Sequence, residues 1–201
     1  MRCFAAGNWS FVSTLDGGSF SSVVSDGHHT IYAASAERSE LHVFKFDDAR
    51  GGGGQWRRAH AWQLPFNKHP TSERLTLAVC GDGGGDMRGS IVCASWAENV
   101  VHVMSSRDGS LQQTHNGSPS PEGRSALNTP YICASHADGS LIIADEFNHC
   151  LQVMSSASGD VTTLVFSPPL SRGSRPVSAV LVDERLYVAT AGDRSVHEYT
   201  Q

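Results

Sequence analysis

The side chains that could do chemistry fall in four places. His42, His102 and His197 stand in related contexts, Leu41-His42-Val43, Val101-His102-Val103 and Val196-His197-Glu198. Three neutral imidazoles brought together could hold a divalent metal. Asp145-Glu146-Phe147-Asn148-His149 sets carboxylates beside an imidazole, a combination that can bind a cation or relay a proton. Gly81-Asp82-Gly83-Gly84-Gly85-Asp86 has the composition of a calcium or phosphate loop. No Gly-Lys-Ser/Thr follows it, and glycine-aspartate calcium turns work as tandem arrays, so it reads as an inter-strand loop. Trp56, Arg57, Arg58, His60 and Trp62 combine the residue types that dominate protein-binding hot spots. Strict strand alternation would put Trp56, Arg58, His60 and Trp62 on one face. The competing reading has the tryptophans packed between sheets with arginine stems over them. No G-x-S-x-G, H-E-x-x-H or Cys-His pairing of family spacing occurs, so no catalytic residue is assigned.

The elements that must position these groups repeat along the chain. Four fourteen-residue segments align without a gap: 31–44 (IYAASAERSELHVF), 91–104 (IVCASWAENVVHVM), 141–154 (LIIADEFNHCLQVM) and 186–199 (LYVATAGDRSVHEY). Each is an apolar run, a polar turn and a second run, the pattern of a β-hairpin. Their starts lie 60, 50 and 45 residues apart, in or just beyond the range of propeller blades. Another apolar stretch precedes each hairpin, at 20–24, 75–80, 131–135 and 177–182. A further run follows the first three, at 55–64, 110–115 and 160–166. Four strands per unit joined by short turns make the antiparallel blade of a β-propeller.

The expected fold is therefore all-β: one propeller domain over residues 1–201, with about four blades near 19–66, 75–116, 129–167 and 176–201. The fourth unit needs an outer strand, and residues 9–15 have the right character, resembling Asp160-Val161-Thr162-Thr163-Leu164. Closing the ring this way would remove two free sheet edges. In the same alignment Arg2-Cys3-Phe4 falls where Gln152-Val153-Met154 falls in the third unit, which leaves open an arc of a larger propeller.

The third unit carries a family signal, Pro130-Tyr131-Ile132-Cys133-Ala134-Ser135-His136-Ala137-Asp138-Gly139-Ser140-Leu141-Ile142-Ile143-Ala144-Asp145 followed by Asn148-His149-Cys150-Leu151-Gln152-Val153-Met154. It resembles the NHL repeat, with Cys150 where that pattern has arginine. The fourth unit, 176–199, keeps the proline and apolar strands but has Thr190 for aspartate. The resemblance implies a propeller, usually of six blades, serving as a platform for protein or RNA. Similar rings in lactonases and lyases hold a metal in the central channel, and fold alone does not choose between these.

Composition narrows the choice. With 39% hydrophobic and 17% charged residues and a net charge of -5, the chain can bury a core and is not disordered. Its 13 arginines are dispersed on an acidic chain, which argues against nucleic acid. No apolar run reaches the ~18 residues of a membrane span. No signal peptide is visible in residues 1–7, so an intracellular, cytoplasmic location is expected. Five cysteines without a C-x-x-C pair suit buried thiols better than disulfides or zinc.

The histidine position lies in the third strand of each unit, whereas a propeller channel is lined by first strands. Hydrogen bonds to neighbouring turns are the expected role of His42, His102 and His197, and ordinary turn geometry that of Asp145. The favoured function is a non-enzymatic interaction or scaffolding module with a protein partner, no cofactor, and Trp56, Arg57, Arg58, His60 and Trp62 as the contact surface. Completion of the ring by another chain is a further possibility. The alternative is a lactonase- or lyase-type enzyme with channel-bound Ca²⁺ or Zn²⁺, its ligands drawn from His42, His102, His197 and Asp145.

Overall fold

The computed structural model describes residues 2–4, 11–14, 19–27, 29–47, 54–66, 74–80, 89–116, 127–135, 138–166, 170–171 and 173–200. The Gly81–Asp86 loop and residues 50–53 and 67–69 of the tryptophan-bearing insertion lie outside them. Among the described residues no helix is long and apolar enough to cross a membrane.

The chain is all-β. Strands β1 (Arg2–Phe4) and β2 (Phe11–Thr14) pair with each other. The first blade follows as β3 (Ser22–Ser25), β4 (Thr30–Ser35), β5 (Glu40–Asp47) and β6 (Gln55–Gln63). The second is β7 (Leu75–Val79), β8 (Ser90–Ser95), β9 (Val100–Ser105) and β10 (Leu111–His115). The third is β11 (Pro130–Ser135), β12 (Leu141–Asp145), β13 (Cys150–Met154) and β14 (Val161–Thr163). The fourth sheet has three strands, β15 (Pro176–Val182), β16 (Arg185–Thr190) and β17 (Ser195–Thr200). In every sheet, strands adjacent in sequence are adjacent in space and antiparallel, so each blade is a meander whose strands we call a, b, c and d. The chain divides into two compact units, Met1–Glu73 with β1–β6 and Arg74–Gln201 with β7–β17.

The repeat seen in the sequence is a repeat in geometry. Residues 31, 91, 141 and 186 pair with 44, 104, 154 and 199, so all four b–c hairpins share one register. The last turn residue before strand c is left-handed each time: Ser39, Asn99, His149 and Arg194 have φ of 52°, 56°, 58° and 57°. A four-residue turn that reverses the chain needs that conformation at its end, and this fixes the gapless alignment.

Burial explains the apolar runs. Strand β12 is buried along its whole length. Leu141 and Ile143 pack with Val92, Val101 and Val103 of the second sheet, while Ile142 and Ala144 pack with Ala179 and Val188 of the fourth. A b strand covered on both faces has no polar side to alternate with, so it reads as a continuous apolar run. The d strands lie outermost, and β10 is exposed from Leu111 to Thr114. In the first unit Phe44 and Ala33 form a smaller core with Phe20, Ile31 and Trp56.

Residues 9–15 were expected to supply the fourth sheet's outer strand. In the structure β2 pairs with β1 instead, with Arg2 opposite Thr14 and Cys3 opposite Ser13. The first two pairs follow those of Gln152 with Thr163 and Val153 with Thr162, but the register then shifts and Phe4 lies opposite Phe11, where Met154 lies opposite Val161 without a shift. A pairing partner a few residues away in sequence costs little loop-closure entropy, whereas β17 is nearly the whole chain away.

Candidate functional site

Each of the recurring strand-c side chains is engaged inside its own sheet. His42 Nε2 lies 2.9 Å from Glu40 Oε2, and its fully buried ring meets the Phe20 ring edge-on at 5.3 Å. His102 Nδ1 is 2.9 Å from Thr114 Oγ1, and burial holds its pKa below the ordinary imidazole value. His197 Nε2 lies 2.8 Å from Ser195 Oγ and 3.0 Å from Asp193 Oδ2. Gln152, at the same position of the third sheet, donates to Asp145 Oδ2 at 2.7 Å. Among the described residues no group of three His, Cys, Asp or Glu side chains could hold a metal ion.

Asp145 is the hub of the most polar turn. Its Oδ1 accepts from the Asn128 amide at 2.7 Å, and its Oδ2 from Asn148 Nδ2 at 2.8 Å and from Gln152 Nε2. It is fully buried, and burial outweighs these donors, raising its pKa to about 6. The turn continues as a 3-10 segment, Glu146–Asn148, ending at left-handed His149. These contacts hold a turn, as the sequence reading expected of this stretch.

The same stretch also joins the third sheet to the fourth. Glu146, almost fully buried, accepts from Arg175 Nη2, and the Arg175 guanidinium lies 4.7 Å from the Phe147 ring centroid. Tyr131 hydrogen-bonds to Glu146 and Arg74, and burial followed by the Glu146 charge holds its phenol pKa up. Arg74 lies 5.7 Å from the Trp96 ring centroid. Arg74, Trp96, Tyr131 and Arg175 were missed at the sequence level, and Glu146 was singled out only as part of its own turn. A usable signal existed: Arg74 and Arg175 each occupy the position just before strand a, beside an acidic or aromatic b–c turn.

The surface nominated from sequence is β6, the d strand of the first blade. Arg57, Arg58, Ala59, His60 and Ala61 are all exposed, while Trp56 and Trp62 are half-buried. The tryptophans pack on their own sheet while the cations face solvent. The expected single face is corrected. Val43 lies opposite His60 but Phe44 lies opposite Arg58, so Ala59 is an extra residue, a β-bulge. Cross-strand partners share a face, so the bulge splits the set. Trp56 and Arg58 lie on the face of Phe44 and Phe46, and Trp56 meets Phe46 at 5.3 Å. His60 and Trp62 lie on the other face, 4.8 Å apart, with Tyr32 6.4 Å from Trp62. Arg57 also lies on this second face, opposite Lys45, and its Nε is 3.8 Å from Asp47 Oδ2 in an exposed pair. Among the described residues the outer edge of β6 carries no strand.

No family model matches the sequence, and no curated protein matches it. Solved structures do resemble the fold. Virginiamycin B lyase from Staphylococcus aureus superposes with a TM-score of 0.56 at 10% identity, over 90% of this chain and 55% of that one. The WD40 β-propeller domain of Doa1 gives 0.62 at 16%, over 96% and 55%. A nidogen/laminin complex gives 0.58 at 15%, over 97% and 64%. The chain thus spans about half the length of the lyase and WD40 chains it resembles. Likeness at this identity reaches the fold and stops there: an all-β architecture of propeller blades.

Proposed function

We propose that this chain is a non-enzymatic protein-interaction module on an NHL-like propeller, and that β6 is its contact strand. The observation that carries this is β6 itself: nine residues long, with an unpaired outer edge and five consecutive exposed residues that include Arg57, Arg58 and His60. An open edge offers backbone hydrogen bonds to an added strand, and its side chains select which strand. Lys45 and Arg57 side by side, with Arg58 on the opposite face, favour an extended acidic segment. The lyase alternative would need its histidines to share a metal, and His42, His102 and His197 are each hydrogen-bonded within a separate sheet.

The test is to pan a random extended-peptide library against the purified chain. Retained peptides should be acidic, should slow amide exchange across residues 55–63, and should lose about tenfold in affinity for the Arg57→Glu/Arg58→Glu variant, or about 1.4 kcal/mol. Peptides that protect other strands, or bind that variant equally well, would refute the assignment.

A further inference from the structure

We propose that the cavity between the third and fourth sheets is a binding site for a small organic cation, an amine carried on an apolar body. It lies within the second compact unit and uses no residue of β6, so it is independent of the contact strand. Its volume is about 410 Å³, inside the range of roughly 300–1,000 Å³ that small-molecule sites occupy. Two cross-strand rows make its walls. Leu181, Leu186 and Tyr199 stand opposite one another across β15, β16 and β17, and Ile142 stands opposite Val153 across β12 and β13. Phe166 lies against Tyr199 with ring centroids 4.4 Å apart.

The equivalent space between the second and third sheets is packed. Leu141 and Met154, which align with Leu186 and Tyr199, are fully buried in a core with Val92, Val103 and Val161. Leu186 and Tyr199 are only half-buried, so their apolar surface can still be removed from water by a ligand. Charge then selects the ligand's class. Asp138 lies in the turn from β11 to β12 and Glu184 in the turn from β15 to β16, the same turn of successive blades, and both line the cavity. Among the described residues no lysine, arginine or histidine lines it. Asp138 is fixed in place, its Oδ1 accepting from the Ser140 amide at 2.8 Å and its carbonyl oxygen from Ser156 Oγ at 2.7 Å. Glu184 is exposed and, among the described residues, makes no ion pair, while the adjacent cation Arg185 is held by Glu198 at 2.5 Å. In the aligned third unit the place of Glu184 is taken by Gly139, so the second carboxylate belongs to this cavity in particular. An anionic amphiphile would set its head against two carboxylates. An ammonium head meets both of them and the π-systems of Phe166 and Tyr199, which attract a cation in their own right.

The experiment titrates the full chain with three probes that share an octyl tail: octylammonium, octanol and octanoate, each below its micelle-forming concentration. Calorimetry should show saturable binding of octylammonium, about tenfold tighter than octanoate, with octanol between them. Methyl NMR signals of Ile142, Leu164 and Leu186 should move, and those of Val101 and Val103 in the second sheet should not. Glu184→Gln should weaken octylammonium about fivefold, strengthen octanoate and leave octanol unchanged. Glu184 is exposed, so this variant leaves the core intact. Val153→Phe, which fills the cavity, should abolish binding of all three probes while a cooperative melt shows that it folds. Octanoate binding as tightly as octylammonium, an unchanged octylammonium affinity in Glu184→Gln, or methyl shifts confined to other sheets would overturn the proposal. So would the absence of saturable binding, the result expected if an apolar side chain of a strand added to β17 already fills the space.

Discussion

Asp145→Asn should flatten the pH dependence of stability between pH 4 and 7. In the folded chain burial raises the Asp145 carboxyl from 3.8 to about 6. Below pH 4 the group is protonated whether folded or unfolded, and its stabilising contribution is fully present. As the pH rises the unfolded chain releases the proton first, and by pH 7 the folded chain must hold a buried carboxylate. The loss across that window corresponds to about 3 kcal/mol. Asparagine has nothing to titrate, and it keeps the turn because the Asn148 and Gln152 amides can rotate to present acceptors. The assay is urea unfolding of both chains from pH 4 to 7.5. The free-energy difference between variant and parent should shift in the variant's favour by about 3 kcal/mol as pH rises through 6. A constant difference across the range would refute the buried-carboxylate argument. Asp145→Ala should instead cost about 3 kcal/mol at pH 5, since it strands the Asn128 amide and the buried end of Gln152.

Removing Arg175 as Arg175→Met leaves Glu146 buried without its cation, and should cost about 2–3 kcal/mol; adding Glu146→Gln should recover part of the loss in a double-mutant cycle. Gly192→Ala would drive a methyl into the Gly173 carbonyl oxygen and should lower stability by about 1–3 kcal/mol. Two residues later, exposed Arg194 at φ 57° should gain up to about 1 kcal/mol as Arg194→Gly, and thermal melts of the pair would show the opposite signs. Burial pushes the thiols of Cys80 and Cys133 up to about 11 and that of Cys150 up to about 12. At pH 8 they should react with a disulfide reagent far more slowly than in denaturant, and equal rates would contradict their burial.

Strand order was legible because the same hairpin is written four times. The turn from Ser35 to Ser39 has the length of those ending at Asn99, His149 and Arg194, and β8 and β12 are apolar without alternation because they are buried along their whole length. Three features were not legible, and they share a cause. The extra residue at Ala59 reverses which residues face together, yet nothing in Arg58-Ala59-His60 distinguishes a bulge from regular strand. The pairing of β2 with β1 and not with β17 is a choice between two partners that local pattern does not distinguish. The Glu146–Arg175 pair spans 29 residues and exists only because the third and fourth sheets stack. Periodicity reports what one strand needs; it is silent about which of several suitable neighbours supplies it.

Among the described residues the outer edges of β6 and β17 differ in chemistry. β6 carries Arg57 and Arg58 and a bulge, devices that keep an edge from pairing indiscriminately. An added strand there must bring negative charge to offset the cations and tolerate a local twist, so its binding rests on electrostatics. β17 has no bulge in its pairing with β16, and its one exposed charge, Glu198, is already held by Arg185 at 2.5 Å. What it offers is backbone and an apolar cavity, which salt does not screen. Raising ionic strength from low to physiological should therefore weaken acidic-peptide binding at β6. Affinity that stayed constant over that range would refute the electrostatic account of this edge.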